Sequence, residues 1–118
     1  MTQPESNDRR VDYIEFPATD MAATKSFYGR VFGWKFTDYG PDYTCFEDGR
    51  LAGGFWKSGE VRAGGPLVVI YAQSLASMEA AVREAGGTIV KETFEFPGGR
   101  RFHFTDPNGN ELAIWSDK

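Results

Sequence analysis

The sequence is poor in the residues that most often build cross-links and metal centres. It has one cysteine, Cys45, and one histidine, His103, among 118 residues. A single cysteine excludes a disulfide within the chain and is typical of a protein from a reducing compartment. Because a catalytic zinc-type site normally takes three well-placed protein ligands, a single histidine also makes such a site difficult to assemble.

Long apolar runs and an excess of positive charge are absent as well. No stretch approaches the roughly 20 apolar residues of a membrane-spanning helix, and the polar start, MTQPESNDRR, has no apolar core like that of a signal peptide. The chain carries 13 Lys and Arg against 17 Asp and Glu, whereas nucleic-acid affinity rests on clustered basic residues. We therefore expect a cytoplasmic protein whose partner is neither a membrane nor a nucleic acid.

Aromatic residues, by contrast, are abundant, at 15% of the chain, and they mark out strands. From Phe102 to Trp115, apolar and polar residues alternate on either side of the turn sequence Asp106-Pro-Asn-Gly-Asn110. Proline presets one backbone angle and glycine accepts a positive one, so this stretch predicts a hairpin. A similar stretch, Tyr43 to Trp56, turns at Asp48-Gly49.

The chain repeats one pattern of elements. The first half predicts a strand over Val11–Pro17, a helix capped by Thr19 or Asp20 and ended by Gly33, a strand over Trp34–Tyr39 and the first hairpin. The second half predicts a strand over Leu67–Ala72, a helix from Ser74 to Gly86-Gly87, a strand over Thr88–Val90 and the second hairpin. The strand from Thr88 either ends at Val90 or runs further, before Pro97-Gly98-Gly99. We therefore predict a flexible tail over 1–10 and a single domain over 11–118, with modules at about 11–57 and 66–116.

Two segments carry a family resemblance: VDYIEFPATDMAATKSFYGRVFG (11–33) and FTDPNGNEL (104–112). They resemble the vicinal oxygen chelate superfamily, which includes glyoxalase I, bleomycin-resistance proteins and extradiol dioxygenases. The resemblance implies an α+β fold of two tandem βαβββ modules that form an open, cup-shaped β-barrel with helices on the outside. It also implies a homodimer and, in metal-dependent members, a divalent ion that polarises oxygens of the substrate.

The positions that the resemblance assigns to metal ligands hold unsuitable residues. They fall on Tyr13, Leu67 and Ala113. Leucine and alanine have no donor atom, and a phenol with a pKa near 10 binds as phenolate only to a strongly polarising ion. We therefore predict a cup without a metal or other cofactor. The alternative is an unconventional cluster drawn from Glu15, Glu47, His103 and Glu111.

Three functions remain open from the sequence. The first is a cup that binds a small apolar or aromatic molecule, lined by Tyr13, Glu15, Leu67, Val69, His103, Glu111 and Ala113. The second is a lyase, isomerase or dioxygenase-type enzyme that uses a displaced divalent metal, or Glu15 and His103 as acid and base. The third is an interaction partner or accessory domain without a small ligand. Instead of binding a metal, the carboxylates of Glu15, Glu47 and Glu111 are expected to pair with Lys35, Arg100 or Arg101. Cys45 is expected to be an inert buried thiol.

Overall fold

A computed structural model describes residues 5–118, so residues 1–4 of the predicted tail lie outside the described part of the chain. After a short 3-10 helix over Glu5–Asn7, the elements follow the predicted order of strand, helix and three strands, twice. They are β1 (Tyr13–Ala18), α1 (Met21–Phe32), β2 (Lys35–Asp38), β3 (Tyr43–Glu47), β4 (Ala52–Lys57), β5 (Val68–Tyr71), α2 (Leu75–Glu84), β6 (Thr88–Phe96), β7 (Gly99–Thr105) and β8 (Glu111–Ser116). The predicted α+β fold of two βαβββ modules is confirmed.

Both helices begin at a polar cap. The Asp20 side chain accepts a hydrogen bond of 3.0 Å from the backbone N–H of Ala23, and Ser74 accepts one of 3.3 Å from Ser77. Such caps pair backbone donors that a helix start would otherwise leave unpaired. Helix α1 ends at Gly33, whose φ of 74° lies in the left-handed region that favours glycine.

Each module builds one open four-stranded sheet. The strand order is β1-β4-β3-β2 in the first sheet and β5-β8-β7-β6 in the second. In each sheet the first strand pairs in parallel with the last strand of its module, and the other pairs are antiparallel. Strands β1 and β5 are therefore corresponding edge strands.

One predicted strand end was wrong, and one that the sequence left open is settled. Strand β1 continues through Pro17 to Ala18, which an edge strand tolerates because proline lacks only a ladder donor. Strand β6 runs beyond Val90 to Phe96, which is the longer of the two predicted extents. Its register with β7 shifts on both sides of Lys91.

The core lies between the helices and one face of each sheet. Side chains of α1 join the two modules, since Phe27 packs 6.0 Å from Phe104 of the second sheet and Tyr28 packs 5.1 Å from Phe55 of the first, measured between ring centroids. Burial of each such side chain stabilises the fold by about 1.5–3 kcal/mol. The opposite face of each sheet, which we call the open face, carries Tyr13 and Glu15 in the first sheet and His103 and Ala113 in the second.

The turn before β8 ties the modules together. The buried Asp106 carboxylate accepts hydrogen bonds from the backbone N–H groups of Asn108 and Asn110 and from the Tyr28 hydroxyl, at 2.8–2.9 Å. The Asn110 amide donates in turn to the Pro17 carbonyl at 2.8 Å. The Asp106–Asn110 turn therefore has a structural role, since it bonds α1 and β1 of the first module. Across residues 5–118, neither helix is long and apolar enough to cross a membrane.

Candidate functional site

A cavity of about 1060 Å³ opens between the edge strands β1 and β5. Its walls come from both modules and combine apolar side chains with polar and charged ones. The lining includes Arg10, Val11, Asp12, Tyr13, Ile14, Phe16, Phe32, Trp34, Asp48, Arg50, Leu51, Val68, Val69, Ile70, Tyr71 and Met78. A concave site of this volume that combines apolar walls with polar groups is large enough for a small molecule. Of the predicted pocket residues, Tyr13 and Val69 line this cavity.

A chain of hydrogen bonds covers the open face of the first sheet. The hydroxyl oxygens of Tyr13 and Tyr43 lie 2.6 Å apart, the Tyr43 hydroxyl lies 2.8 Å from Glu15 Oε2, and the Tyr13 hydroxyl lies 3.1 Å from Cys45 Sγ. These side chains lie over Gly54, where an added Cβ would overlap the Tyr43 hydroxyl and come within 2.8 Å of the Tyr13 hydroxyl oxygen. Glycine is therefore required at position 54 for this arrangement.

The direction of this chain follows from the number of hydrogens. Tyr43 donates its only hydroxyl hydrogen to Glu15, so Tyr13 donates to Tyr43. The contact between Tyr13 and Cys45 then needs the thiol hydrogen, which makes Cys45 the donor. The predicted inert, buried Cys45 is thus half-buried and hydrogen-bonded.

The Tyr13 and Tyr43 phenols in this row of hydrogen bonds are both held in the neutral form. Partial burial, together with hydrogen bonds to Cys45 and Tyr43, raises the pKa of Tyr13 well above its ordinary value of 10.0. Partial burial also raises the pKa of Tyr43, and the Glu15 carboxylate adds to that rise. At neutral pH the first sheet therefore presents hydroxyl groups and no phenolate.

The open face of the second sheet brings together two of the predicted pocket residues, His103 and Glu111. His103 Nδ1 lies 2.9 Å from Glu111 Oε2, and because a carboxylate accepts, this geometry assigns the hydrogen to Nδ1. His103 is only 5% exposed, and its ring centroid lies 5.8 Å from that of Phe94. Within residues 5–118, His103 Nε2 is buried and has no hydrogen-bond partner.

The metal positions implied by the resemblance do not fit a divalent ion. Leu67 and Ala113 offer no donor atom, and the neutral Tyr13 hydroxyl is engaged by its neighbours. In the described part of the chain, no group of three or more His, Cys, Asp or Glu side chains is placed to hold an ion. The unconventional cluster of Glu15, Glu47, His103 and Glu111 is therefore not assembled among the described residues. Glu15 instead bonds Tyr43, and Glu111 bonds His103.

The structure groups the predicted residues into two separate sets. Glu15 lies with Tyr13 as expected from strand alternation, and Glu111 lies with His103. The expected pairing of these carboxylates with Lys35, Arg100 or Arg101 was wrong, since Glu15 binds Tyr43 and Glu111 binds His103. Sequence analysis missed Tyr43 and Tyr71, although alternation along β3 and β5 places both on the open faces.

Similarity to known proteins agrees with this architecture. Structures with the same fold include a glyoxalase-related enzyme from Fulvimarina pelagi (20% identity, TM-score 0.78, 92% of this chain and 88% of that chain covered). A glyoxalase/bleomycin resistance protein/dioxygenase family enzyme from Burkholderia phytofirmans PsJN also matches (19% identity, TM-score 0.80, 92% of this chain and 100% of that chain covered). A point mutant of the fosfomycin resistance protein FosX from Listeria monocytogenes, complexed with Mn(II) and 1S,2S-dihydroxypropylphosphonic acid, matches as well (15% identity, TM-score 0.79, 91% of this chain and 89% of that chain covered). At these identities the likeness shows the fold alone.

The two-module βαβββ architecture with open sheet faces defines a glyoxalase-like class of protein. The family model of the Glyoxalase/Bleomycin resistance protein/Dioxygenase superfamily matches residues 10–114. The chain belongs to this superfamily, as the sequence resemblance predicted. No curated protein matches the chain.

Proposed function

We propose that this protein binds a small apolar or aromatic molecule without the divalent metal of its metal-dependent relatives. The observation that carries the proposal is the replacement of the metal positions by Tyr13, Leu67 and Ala113, with the Tyr13 hydroxyl engaged by Tyr43 and Cys45. The cavity beside Tyr13 supplies room for a ligand, and its walls include the apolar side chains of Ile14 and Val69. Glu15, Leu67, Glu111 and Ala113 remain proposed pocket residues, alongside Tyr13, Val69 and His103.

A matched pair of valine substitutions tests the position of the ligand. Val69 lines the cavity and is 41% exposed, whereas Val90 is 48% exposed and lies away from the cavity on β6. We expect Val69→Trp to abolish binding of benzyl alcohol in an NMR titration and Val90→Trp to leave it unchanged. The wild-type affinity should be the same with EDTA as with added Mn²⁺ or Zn²⁺. Binding that requires either ion would contradict the proposal.

A second copy of the chain is the proposed partner. Large apolar side chains remain 37–46% exposed on the open faces, namely Tyr13, Trp56, Leu67, Val69 and Tyr71. Exposed large apolar side chains are typical of an interaction site, and the family resemblance implies that a second copy of the chain packs there. Sedimentation equilibrium should give twice the chain mass of 13.2 kDa. A single-chain mass across the micromolar range would contradict the homodimer. The cytoplasmic location remains a prediction from the sequence.

The contact between His103 and Glu111 favours acid-base catalysis as a second candidate function. A carboxylate on Nδ1 leaves the lone pair of a neutral imidazole on Nε2, which takes a proton from a substrate only once the buried ring becomes accessible. Glu15 is the other candidate acid or base. Proton exchange at the activated C–H group of phenylacetone, followed by NMR in D₂O, tests this function. A rate that Glu111→Gln, His103→Gln and Glu15→Gln all leave unchanged would contradict it.

A further inference from the structure

Two rows of side chains cross the open face of the second sheet, from the cavity to strand β6. The pairing registers of β5, β8, β7 and β6 place one residue of each strand in each row. The first row is Tyr71, Trp115, Arg101 and Phe94, and the second is Val69, Ala113, His103 and Lys91. Because Tyr71 lines the cavity, the first row joins the cavity to the Arg101 side chain.

The first row is aromatic. The ring of Trp115 lies 5.2 Å from that of Tyr71 and 6.2 Å from that of Phe96, measured between centroids. Since neighbouring strands are about 4.8 Å apart, Arg101 lies about 10 Å across the sheet from Tyr71. A ligand of one or two aromatic rings therefore covers the distance from the cavity wall to the guanidinium group.

The far end of this row carries positive charge without a carboxylate partner. The Arg101 guanidinium lies 5.3 Å from the ring centroid of Phe94 and 5.6 Å from that of Phe96, and Lys91 Nζ lies 5.7 Å from that of Phe94. Within residues 5–118, neither cation makes an ion pair, and Arg101 Nε is buried without a hydrogen-bond partner. Contact with aromatic rings stabilises the two positive charges in part, but it does not use the hydrogen-bond donors of the guanidinium and ammonium groups.

The nearest acidic groups on this face are already engaged. Glu111 binds His103 at 2.9 Å, and Asp117 accepts the Tyr71 hydroxyl hydrogen at 2.8 Å. Two cations thus meet no free carboxylate here, in a chain whose overall charge is −4. The chemistry that complements a guanidinium beside aromatic rings is a planar acid, because a carboxylate pairs with arginine and an aromatic ring stacks on Trp115.

We propose that the ligand is an aromatic carboxylate, with its ring against Tyr71 and Trp115 and its carboxylate bound by Arg101 and supported by Lys91. The proposal rests on the proposed small-molecule function and specifies the class of ligand. It makes Arg101 the residue that selects an acid over a neutral molecule of the same shape.

Benzoate and benzyl alcohol test the proposal because they share a ring and differ in charge. Charge-assisted hydrogen bonds imply that benzoate binds about tenfold or more tightly than benzyl alcohol. Arg101→Gln should remove that difference and leave benzyl alcohol binding unchanged. Arg100→Gln is the matched control, since it removes the neighbouring charge from the opposite face of β7, where Arg100 donates to the Lys118 carbonyl. The signals of His103, the one histidine of the chain, should shift with benzoate.

The outcomes separate this inference from the proposed function. Equal affinity for both probes would overturn the inference and leave the proposed function standing, whereas no binding of either probe would overturn both. An equal loss of benzoate affinity in Arg100→Gln and Arg101→Gln would also overturn the inference, because only overall charge would then matter. If Arg101→Gln does not fold, Lys91→Gln replaces it, with a severalfold loss expected for benzoate alone and an unchanged benzoate affinity refuting the inference.

Discussion

The close packing at Gly54 allows a quantitative prediction for Gly54→Ala. An added methyl group would overlap the Tyr43 side chain, which lies between Gly54 and Glu15. Overpacking of a filled site costs about 1–3 kcal/mol, so we expect a loss of about 2 kcal/mol in the free energy of unfolding. With 118 residues, an unfolding entropy of about 0.25 kcal/mol/K converts this loss to a fall of about 8 °C in Tm.

Two further variants isolate the cause of the Gly54→Ala effect. Gly59→Ala is the matched control, because no heavy atom lies within 4 Å of a Cβ at that position, and it should leave Tm nearly unchanged. Tyr43→Ala removes the overlapping side chain, so Gly54→Ala should cost less than about half as much in that background. Unfolding followed by circular dichroism, in urea and on heating, measures the wild type, the three single variants and the Tyr43→Ala/Gly54→Ala double variant. Equal costs in both backgrounds, or an equal cost at Gly59, would refute the packing argument.

Three other predictions concern Asp106 in the turn before β8, Tyr28 and His103. Asp106→Ala should destabilise the protein by about 3 kcal/mol in urea unfolding, because it leaves buried donors unpaired, whereas Asp48→Ala, at the exposed turn of the first hairpin, should cost about 1 kcal/mol. Burial raises the pKa of Tyr28, and the neighbouring Asp106 adds to that rise, so stability should be constant up to about pH 10 and then decline as the unfolded tyrosine ionises. Tyr28→Phe should make that decline shallower in urea unfolding at alkaline pH. An unchanged dependence of the unfolding free energy on pH would contradict the attribution of the decline to Tyr28. Nitrogen-15 NMR of neutral His103 should show the Nδ1–H tautomer, and Glu111→Gln should shift the population toward Nε2–H, whereas a dominant Nε2–H form in the wild type would contradict the geometry.

The sequence predicts the fold well because its signals are local and repeated. The helix caps at Asp20 and Ser74, the glycine stop at Gly33 and the turn at Asp106 each fix a boundary through the chemistry of one residue. Strand alternation then places Tyr13 with Glu15 and His103 with Glu111 on the open faces. Periodicity of this kind is enough to recover both modules.

Other features depend on contacts that a sequence does not display. The position of Phe94 over His103 and Arg101 follows from the register shifts of β6, which carry no clear local signal. The engagement of Cys45 depends on the approach of β1 to β4 and of β4 to β3 over Gly54, since Tyr13 and Cys45 come from different strands. The hydrogen bond from Tyr28 to Asp106 likewise links residues 78 positions apart. Packing between distant segments therefore decides the details of the candidate site.

The metal content of protein purified without chelator or metal-affinity resin tests the central claim most directly. Elemental analysis should give a ratio of divalent metal to chain near zero, because Tyr13, Leu67 and Ala113 replace the ligands of metal-dependent relatives. A ratio near one that persists through dialysis would contradict the account and point to Glu15, Glu47, His103 and Glu111 as replacement ligands.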